Sequence, residues 1–541
     1  MKYFRAYKAK GLNTPTYFIE STAPDNVDDT ENVDNAAQEI PPELRDELEY
    51  IEHSDDAVTA IARDLANGTD PNLVVMVHGF NNPEPDVLRM YTGAAKAVNE
   101  DGAISDRKGL VCVGYRWPSE KMGTPLSGSW SALPTFPTWL LYTGAAIVLV
   151  SLALFCRVSV LTLVGWTLAG MILMTVLLRA IVYFRDQYRA ANYGVSDLIH
   201  IIRAIDQAVV KQRPELGLKD EHAQKVQLSF IGHSMGGFVV TNTIRTLSDV
   251  FKTPVEALSR YGVDAPRPAR HMKKIGNVFE LKRFVLASPD IPAETLLSNR
   301  GNFLASALSR FEEAYLFSNE GDEVLRQIST LANYFVFPTK SRDHGFRLGN
   351  VEILSRDYGL IKPPQDVFLN KLRIGNLTLQ QLYDRLEQAE ASRYKSDGKK
   401  PAQPSLPGVF TYFDCTDYVE PDSGGQMQGL LTFALRRKAT NPSAKLRWYS
   451  HLHLLGAYVF NHQKPNVHGG YFQGALSQQL IYRLACLGYD ATVKAYGDEA
   501  SLGEACRKKQ IRVLVSPALA AQQAGQPIAA AAATMAGARP T

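Results

Sequence analysis

The chain is poor in cysteine. Among its 541 residues there are five, Cys112, Cys156, Cys415, Cys486 and Cys506. They are scattered, odd in number and form no CxxC pair. No disulfide framework is readable, which suits a reducing compartment. An excess of one charge is also missing: 58 lysines and arginines face 55 aspartates and glutamates, a net +3. That is too little to argue for nucleic acid. Glycine (39) and proline (29) stand at ordinary levels, which excludes collagen-like and globally low-complexity chains. The N-terminus, MKYFRAYKAKG, has basic residues but no apolar core, so no secretory signal is expected. No internal repeat is visible. What is present is a hydrophobic content of 45%, enough to build a core and to exclude global disorder.

A mean hydropathy of −0.15 hides one unusual segment. Met122–Cys156 and Val158–Leu178 carry no charge, and Arg157 alone separates them. Within them, Trp139–Phe155 and Val158–Tyr183 are almost purely apolar. A helical span needs about 20 such residues. The expectation is an inserted two-helix transmembrane hairpin over 137–184; a buried helical pair is the alternative. Trp139 and Tyr142 at one end, with Tyr183 and Phe184 at the other, are placed as an aromatic interface belt would be. An even number of spans leaves both flanks on one side. Arg179, Arg185 and Arg189 follow the second span, against Arg157 at the tip, so a multi-pass membrane topology with the main body in the cytoplasm is expected.

Elsewhere strand and helix patterns alternate. Short apolar runs at Leu73–Val77, Leu110–Tyr115, Val226–Ile231, Phe284–Ala287, Ala314–Ser318 and Val409–Phe413 read as buried parallel strands. Helices are expected over Ser196–Val210 and from about Met235 to Leu247. The alternation predicts an α/β fold, a mainly parallel sheet with helices on both faces. The main domain is read as 71–490, interrupted by the hairpin. Residues 1–70 are an extension with an acidic stretch at Pro24–Pro42. Residues 491–541 are a second extension with an Ala-rich tail, and Tyr394–Gly408 is a polar linker.

The sharpest motif is FIGHSMGGF. Gly232-His233-Ser234-Met235-Gly236 ends a predicted strand and opens a predicted helix. A serine that must lift its hydroxyl out of a sheet needs a strained turn, and glycines on either side keep neighbouring backbone clear. The Met235 N–H then sits at a helix N-terminus and can stabilise an oxyanion. Upstream, VVMVHGFNN closes another strand. It supplies the second oxyanion donor, the Phe80 N–H, while His78 orders the loop. In this architecture the acid and then the base follow the serine. Asp322, after the Ala314–Ser318 strand, is the preferred acid, and Asp290, in VLASPDIP, is the alternative. His468, in a glycine-flanked loop, is the favoured base. His451 and His453 read as ordinary helix or strand residues. With His462 and His468 they fit no standard zinc spacing, and neither metal nor organic cofactor is expected.

The chain resembles the serine α/β-hydrolase superfamily, and within it a bacterial group of lipase- and esterase-like α/β hydrolases. The resemblance rests on VMVHGFNN, VGYRWPS, YFRDQYRAANYGVSDLIHIIRAI, LSFIGHSMGG, VLASPDIP, YLFSNEGDEVL and HGGYF. It implies an α/β-hydrolase fold with Ser234 as nucleophile, Phe80 and Met235 as oxyanion donors, His468 as base, and Asp322 or Asp290 as acid. The expected activity is hydrolysis of carboxylic esters through an acyl-enzyme. The hairpin makes a lipid or lipid-like ester plausible, with the bilayer as partner. The segment Ala265–Gly276, with Arg267, Arg270, Lys273 and Lys274, suits anionic headgroups or is a solvated loop. An acyltransferase or peptidase with the same triad, or an inactive membrane-anchored interaction protein, are the other readings.

Overall fold

The computed structural model describes residues 4–23, 40–119, 166, 170, 183–216, 224–247, 274–297, 310–330, 346–364, 367–393, 406–434, 445–460 and 465–523. These residues form an α/β fold built on one large, mixed, mostly parallel sheet. Nine of its strands carry numbers: β1 (Phe4–Ala9), β2 (Thr16–Ser21), β3 (Leu48–Ile51), β4 (Asn72–Val77), β5 (Leu110–Arg116), β6 (Val226–His233), β7 (Lys274–Ile275), β8 (Phe279–Ala287) and β9 (Glu313–Ser318). Across the sheet the order is Gly359–Ile361, Arg512–Leu514, Phe410–Asp414, β9, β8, β6, β4, β5, β2, β1, β3, with β7 paired antiparallel to β8. From β2 to Phe410–Asp414 every neighbouring pair is parallel.

The pleat explains why the central strands are apolar on both faces. Successive side chains point to opposite sides of a strand. Leu73, Val75 and Val77 enter one core, with the helices Ser54–Ala66, Val195–Glu215 and Met235–Leu247. Val74 and Met76 enter the other, with Glu84–Glu100 and Ala475–Cys486. A strand covered on both sides has no position for a solvated side chain.

The register brings four strand ends together. Val77 lies opposite Gly232, His233 opposite Ala287, and Ala287 opposite Phe317. The loops that leave the carboxyl ends of β4, β6, β8 and β9 are therefore neighbours, the usual place for a site in a parallel sheet.

All six expected strands are present, and Met235–Leu247 has the expected limits. The flanks are less separate than their sequence suggests. β1, β2 and β3 come from residues 1–70 and extend the sheet, and Arg512–Leu514, from the C-terminal segment, inserts beside Phe410–Asp414. The acidic stretch at 24–39, the linker at 394–405 and the tail beyond 523 lie outside the described residues.

Among the described residues no helix is long and apolar enough to cross a membrane. The two expected spans lie outside them, except for Trp166, Gly170 and Tyr183. Tyr183 corrects one expectation. It is not at a membrane interface but buried, its hydroxyl donating to Asp290 Oδ2 at 2.8 Å and its ring edge-on to Phe80 at 5.8 Å. A tyrosine needs an apolar bed and one polar partner, and the protein interior supplies both. Phe184 is half-buried against the same core. Arg185 and Arg189 stand 3.9 and 3.6 Å from the buried Asp186 carboxylate, so they offset an internal charge. Arg179 lies outside the described residues.

Candidate functional site

Ser234 joins β6 to the helix Met235–Leu247 and has a φ of +54°. That left-handed conformation costs a non-glycine residue about 1–2 kcal/mol. The glycines show why it is tolerated. A Cβ on Gly232 would meet Gly237 Cα at 2.7 Å, and one on Gly236 would meet the Val77 and His78 carbonyl oxygens at 2.2 and 2.5 Å. Strand and helix can approach this closely only without those carbons. The Ser234 N–H donates to the Ala287 carbonyl at 3.0 Å, and its own carbonyl accepts from Gly237 and Asp290. Ser234 Oγ is buried with no hydrogen-bond partner.

His468 comes from the loop that precedes the helix Ala475–Cys486. Its Nδ1 meets Asp322 Oδ2 at 2.7 Å, and its Nε2 is buried without a partner. Burial pushes the His468 pKa down, but the Asp322 charge and hydrogen bond outweigh it, with Asp290 adding, and the result lies above the ordinary value. Asp322 is fixed by neutral donors: Ser288 Oγ on Oδ2, and the Val324 and Leu325 N–H groups on Oδ1 at 3.1 and 3.2 Å. Asn319 ties the acid turn to the base loop by donating to the Val467 carbonyl at 2.8 Å. His233 packs on His468 at 4.9 Å and donates from Nε2 to its carbonyl at 3.1 Å. Burial, aided by His468, holds the His233 pKa down at about 3, so its ring is neutral.

The two candidate acids have different surroundings. Asp290 pairs with Arg347 Nε at 3.0 Å and accepts from Tyr183 and Ser329. Asp322 is the carboxylate paired with His468.

The donor candidates lie on the adjoining loop. Gly79 backs onto the serine: a Cβ there would meet Ser234 Cβ at 2.7 Å. His78 stacks on Trp117 at 5.2 Å with its ring planes 2° apart, and Trp117 Nε1 donates to the His78 carbonyl at 2.9 Å. Burial lowers the His78 pKa to about 3. His78 is therefore neutral, and its Nδ1–H faces the Gly79 carbonyl at 2.6 Å. Met235 is buried at the first position of the elbow helix.

Several residues around this constellation have no assigned role in the sequence reading: Ser288, Asn319, His233, Ser119, Asp186 and Arg347. Only adjacency marked the first five, since each lies within a quoted motif, and Arg347 lies in none of them. His451 and His453 lie in the helix Trp448–Phe460. His451 Nδ1 meets Glu323 at 2.5 Å, and His453 stacks on Phe433. His462 lies outside the described residues, as do Arg267, Arg270 and Lys273; Lys274 begins β7. Among the described residues no three His, Cys, Asp or Glu side chains are grouped to hold a metal ion. Comparison of the chain with family models, with curated proteins and with solved structures gave no match.

Proposed function

We propose that this protein is a membrane-anchored serine hydrolase of the α/β-hydrolase fold that cleaves carboxylic esters, lipid or lipid-like esters among them. One observation carries the reading: Ser234 sits at positive φ in a glycine-walled elbow at the carboxyl edge of a parallel sheet. Its hydroxyl is buried and unpartnered, as is Nε2 of a histidine whose other nitrogen is held by a buried carboxylate. A strained backbone is retained only where the surrounding structure enforces it, and such sites are commonly functional.

The chemistry follows from the residues. An ionised Asp322 fixes the proton of His468 on Nδ1 and leaves Nε2 as the basic nitrogen. That nitrogen takes the Ser234 proton as Oγ attacks the ester carbonyl. The Phe80 and Met235 N–H groups receive the oxyanion, His468 returns the proton to the leaving alcohol, and water repeats the sequence on the acyl-enzyme. The anchor is the apolar run that begins at 137 and ends before the buried Tyr183.

The test is p-nitrophenyl ester hydrolysis in detergent, together with fluorophosphonate labelling of membrane fractions. Wild type should hydrolyse and label. Ser234→Ala should do neither, and unchanged turnover by that variant would overturn the mechanism.

A further inference from the structure

Two motif pieces have no place in the chemistry above: RWPS, ending at Ser119, and RDQYRAA, containing Asp186. The structure joins them beneath the Phe80 loop. Asp186 is fully buried, and its Oδ2 accepts from the Asn81 N–H at 3.2 Å and from Ser119 Oγ at 2.9 Å. Ser119 Oγ in turn accepts from the Asn82 N–H at 3.3 Å. Two consecutive backbone donors are thus held by one carboxylate and one hydroxyl. The turn they hold is strained, for Asn81 has a φ of +62°.

The turn in turn sets the peptide before Phe80. Asn82 Nδ2 donates to the Gly79 carbonyl at 3.1 Å and to the Phe80 carbonyl at 3.0 Å, and His78 Nδ1 meets the same Gly79 oxygen. In a trans peptide the N–H points opposite to the C=O. Holding the Gly79 oxygen toward Asn82 and His78 therefore turns the Phe80 N–H to the other side. Without the clamp, Asn81 could relax toward negative φ and that peptide could rotate.

We propose that Asp186, with Ser119 as its relay, is a positioning residue that aims the Phe80 N–H at the oxyanion. The inference rests on the serine-hydrolase reading. It also explains the two motif pieces, because residues on either side of the 120–182 insertion then hold one half of the oxyanion hole. Arg185 and Arg189 face Asp186 from its own helix and offset part of the cost of burying its charge, although burial still raises its pKa to about 6.

The experiment compares an oxygen ester with its thionoester in the full-length protein. Sulfur is a weak hydrogen-bond acceptor, so thionoester turnover draws little on an oxyanion hole. Ser119→Ala and Asp186→Asn should each lower kcat for the oxygen ester by about tenfold to a hundredfold, near the range for a lost oxyanion donor. KM and thionoester turnover should stay close to wild type, and Ser119→Thr, which keeps the hydroxyl, should recover the loss. An equal fall for both substrates, or no fall in a folded variant, overturns the clamp alone. Turnover by Ser234→Ala in the same assay overturns the hydrolase reading on which it rests. Hydrogen exchange on wild type needs no variant: the Asn81 and Asn82 amides should be protected, and rapid exchange at both contradicts the proposal.

Discussion

Replacing Gly236 with alanine tests the elbow at its tightest point. The new Cβ would lie 2.2 Å from the Val77 oxygen and 2.5 Å from the His78 oxygen. Non-bonded heavy atoms rest about 3.5 Å apart, so the helix and the end of β4 must separate by on the order of 1 Å. Neither oxygen can swing away, because both are backbone, and Val77 is paired with Gly232 on one side and Tyr115 on the other. The separation would move Ser234 and the Met235 N–H relative to the Phe80 N–H, the two donors of the proposed oxyanion site. A misplacement of about 1 Å costs on the order of a hundredfold in rate, and overpacking adds about 1–3 kcal/mol of destabilisation. The neighbouring glycine is the control. A Cβ on Gly237 would meet a Leu286 methyl at 3.0 Å and Pro289 Cβ at 3.4 Å, and the leucine can turn its methyl aside. Ester hydrolysis and thermal unfolding of both variants decide the matter. Gly236→Ala should lose about two orders of magnitude in kcat, while Gly237→Ala keeps most of it. Equal behaviour of the two, or a fully active Gly236→Ala, refutes the argument.

Other expectations can be measured in the same assay. Asp322→Asn should cut kcat by about 10⁴, the loss expected when a triad acid no longer holds the base in its tautomer. Asp290→Asn should instead destabilise the fold by about 3–5 kcal/mol, because it leaves buried Arg347 uncompensated, and should spare kcat in the folded fraction. If Asp290→Asn is stable but inactive, the roles of the two acids are exchanged. The base must be neutral to accept a proton, and the His468 pKa lies above its ordinary value. The acid limb of kcat/KM should therefore lie above pH 6.5, activity falling as pH drops through it. Asp322→Asn should move that limb to lower pH, since burial then dominates; a limb that does not move assigns it to another group.

Much of the central sheet was legible because each strand is buried on both faces, and a run such as Leu73–Val77 has few other readings. The turn at Gly232–Gly236 was legible because a backbone that must pass within contact of another backbone admits only glycine, and the turn at His78–Phe80 because Gly79 lies against Ser234 Cβ. The outer strands were not. Thr16–Ser21 is mixed in polarity and Arg512–Leu514 is short, and they become strands through the partners they meet. Arg512 shows the reason: its guanidinium is buried against Asp414 and Asp417, a pairing across distant sequence that no local pattern announces. Tyr183 failed for a related reason. An aromatic residue that ends an apolar run looks the same whether its hydroxyl meets headgroups or, as here, Asp290.

The choice between the acids was open in sequence because both follow parallel strands whose ends adjoin Ser234. Charge balance separates them in space. Asp290 faces Arg347, so much of its charge is already compensated; its N–H donates to the Ser234 carbonyl and its carboxylate accepts from the Tyr183 hydroxyl. Asp322 meets neutral donors only, besides His468. Neutral donors orient a carboxylate without cancelling its charge, so that charge remains to stabilise the imidazolium that the proposed attack by Ser234 would form. A second cation beside Asp322 would weaken this effect even with the His468 hydrogen bond intact. The arrangement at this edge of the sheet thus has a logic beyond proximity: the carboxylate proposed to act on His468 is held by dipoles, and the carboxylate beside it is paired with a cation.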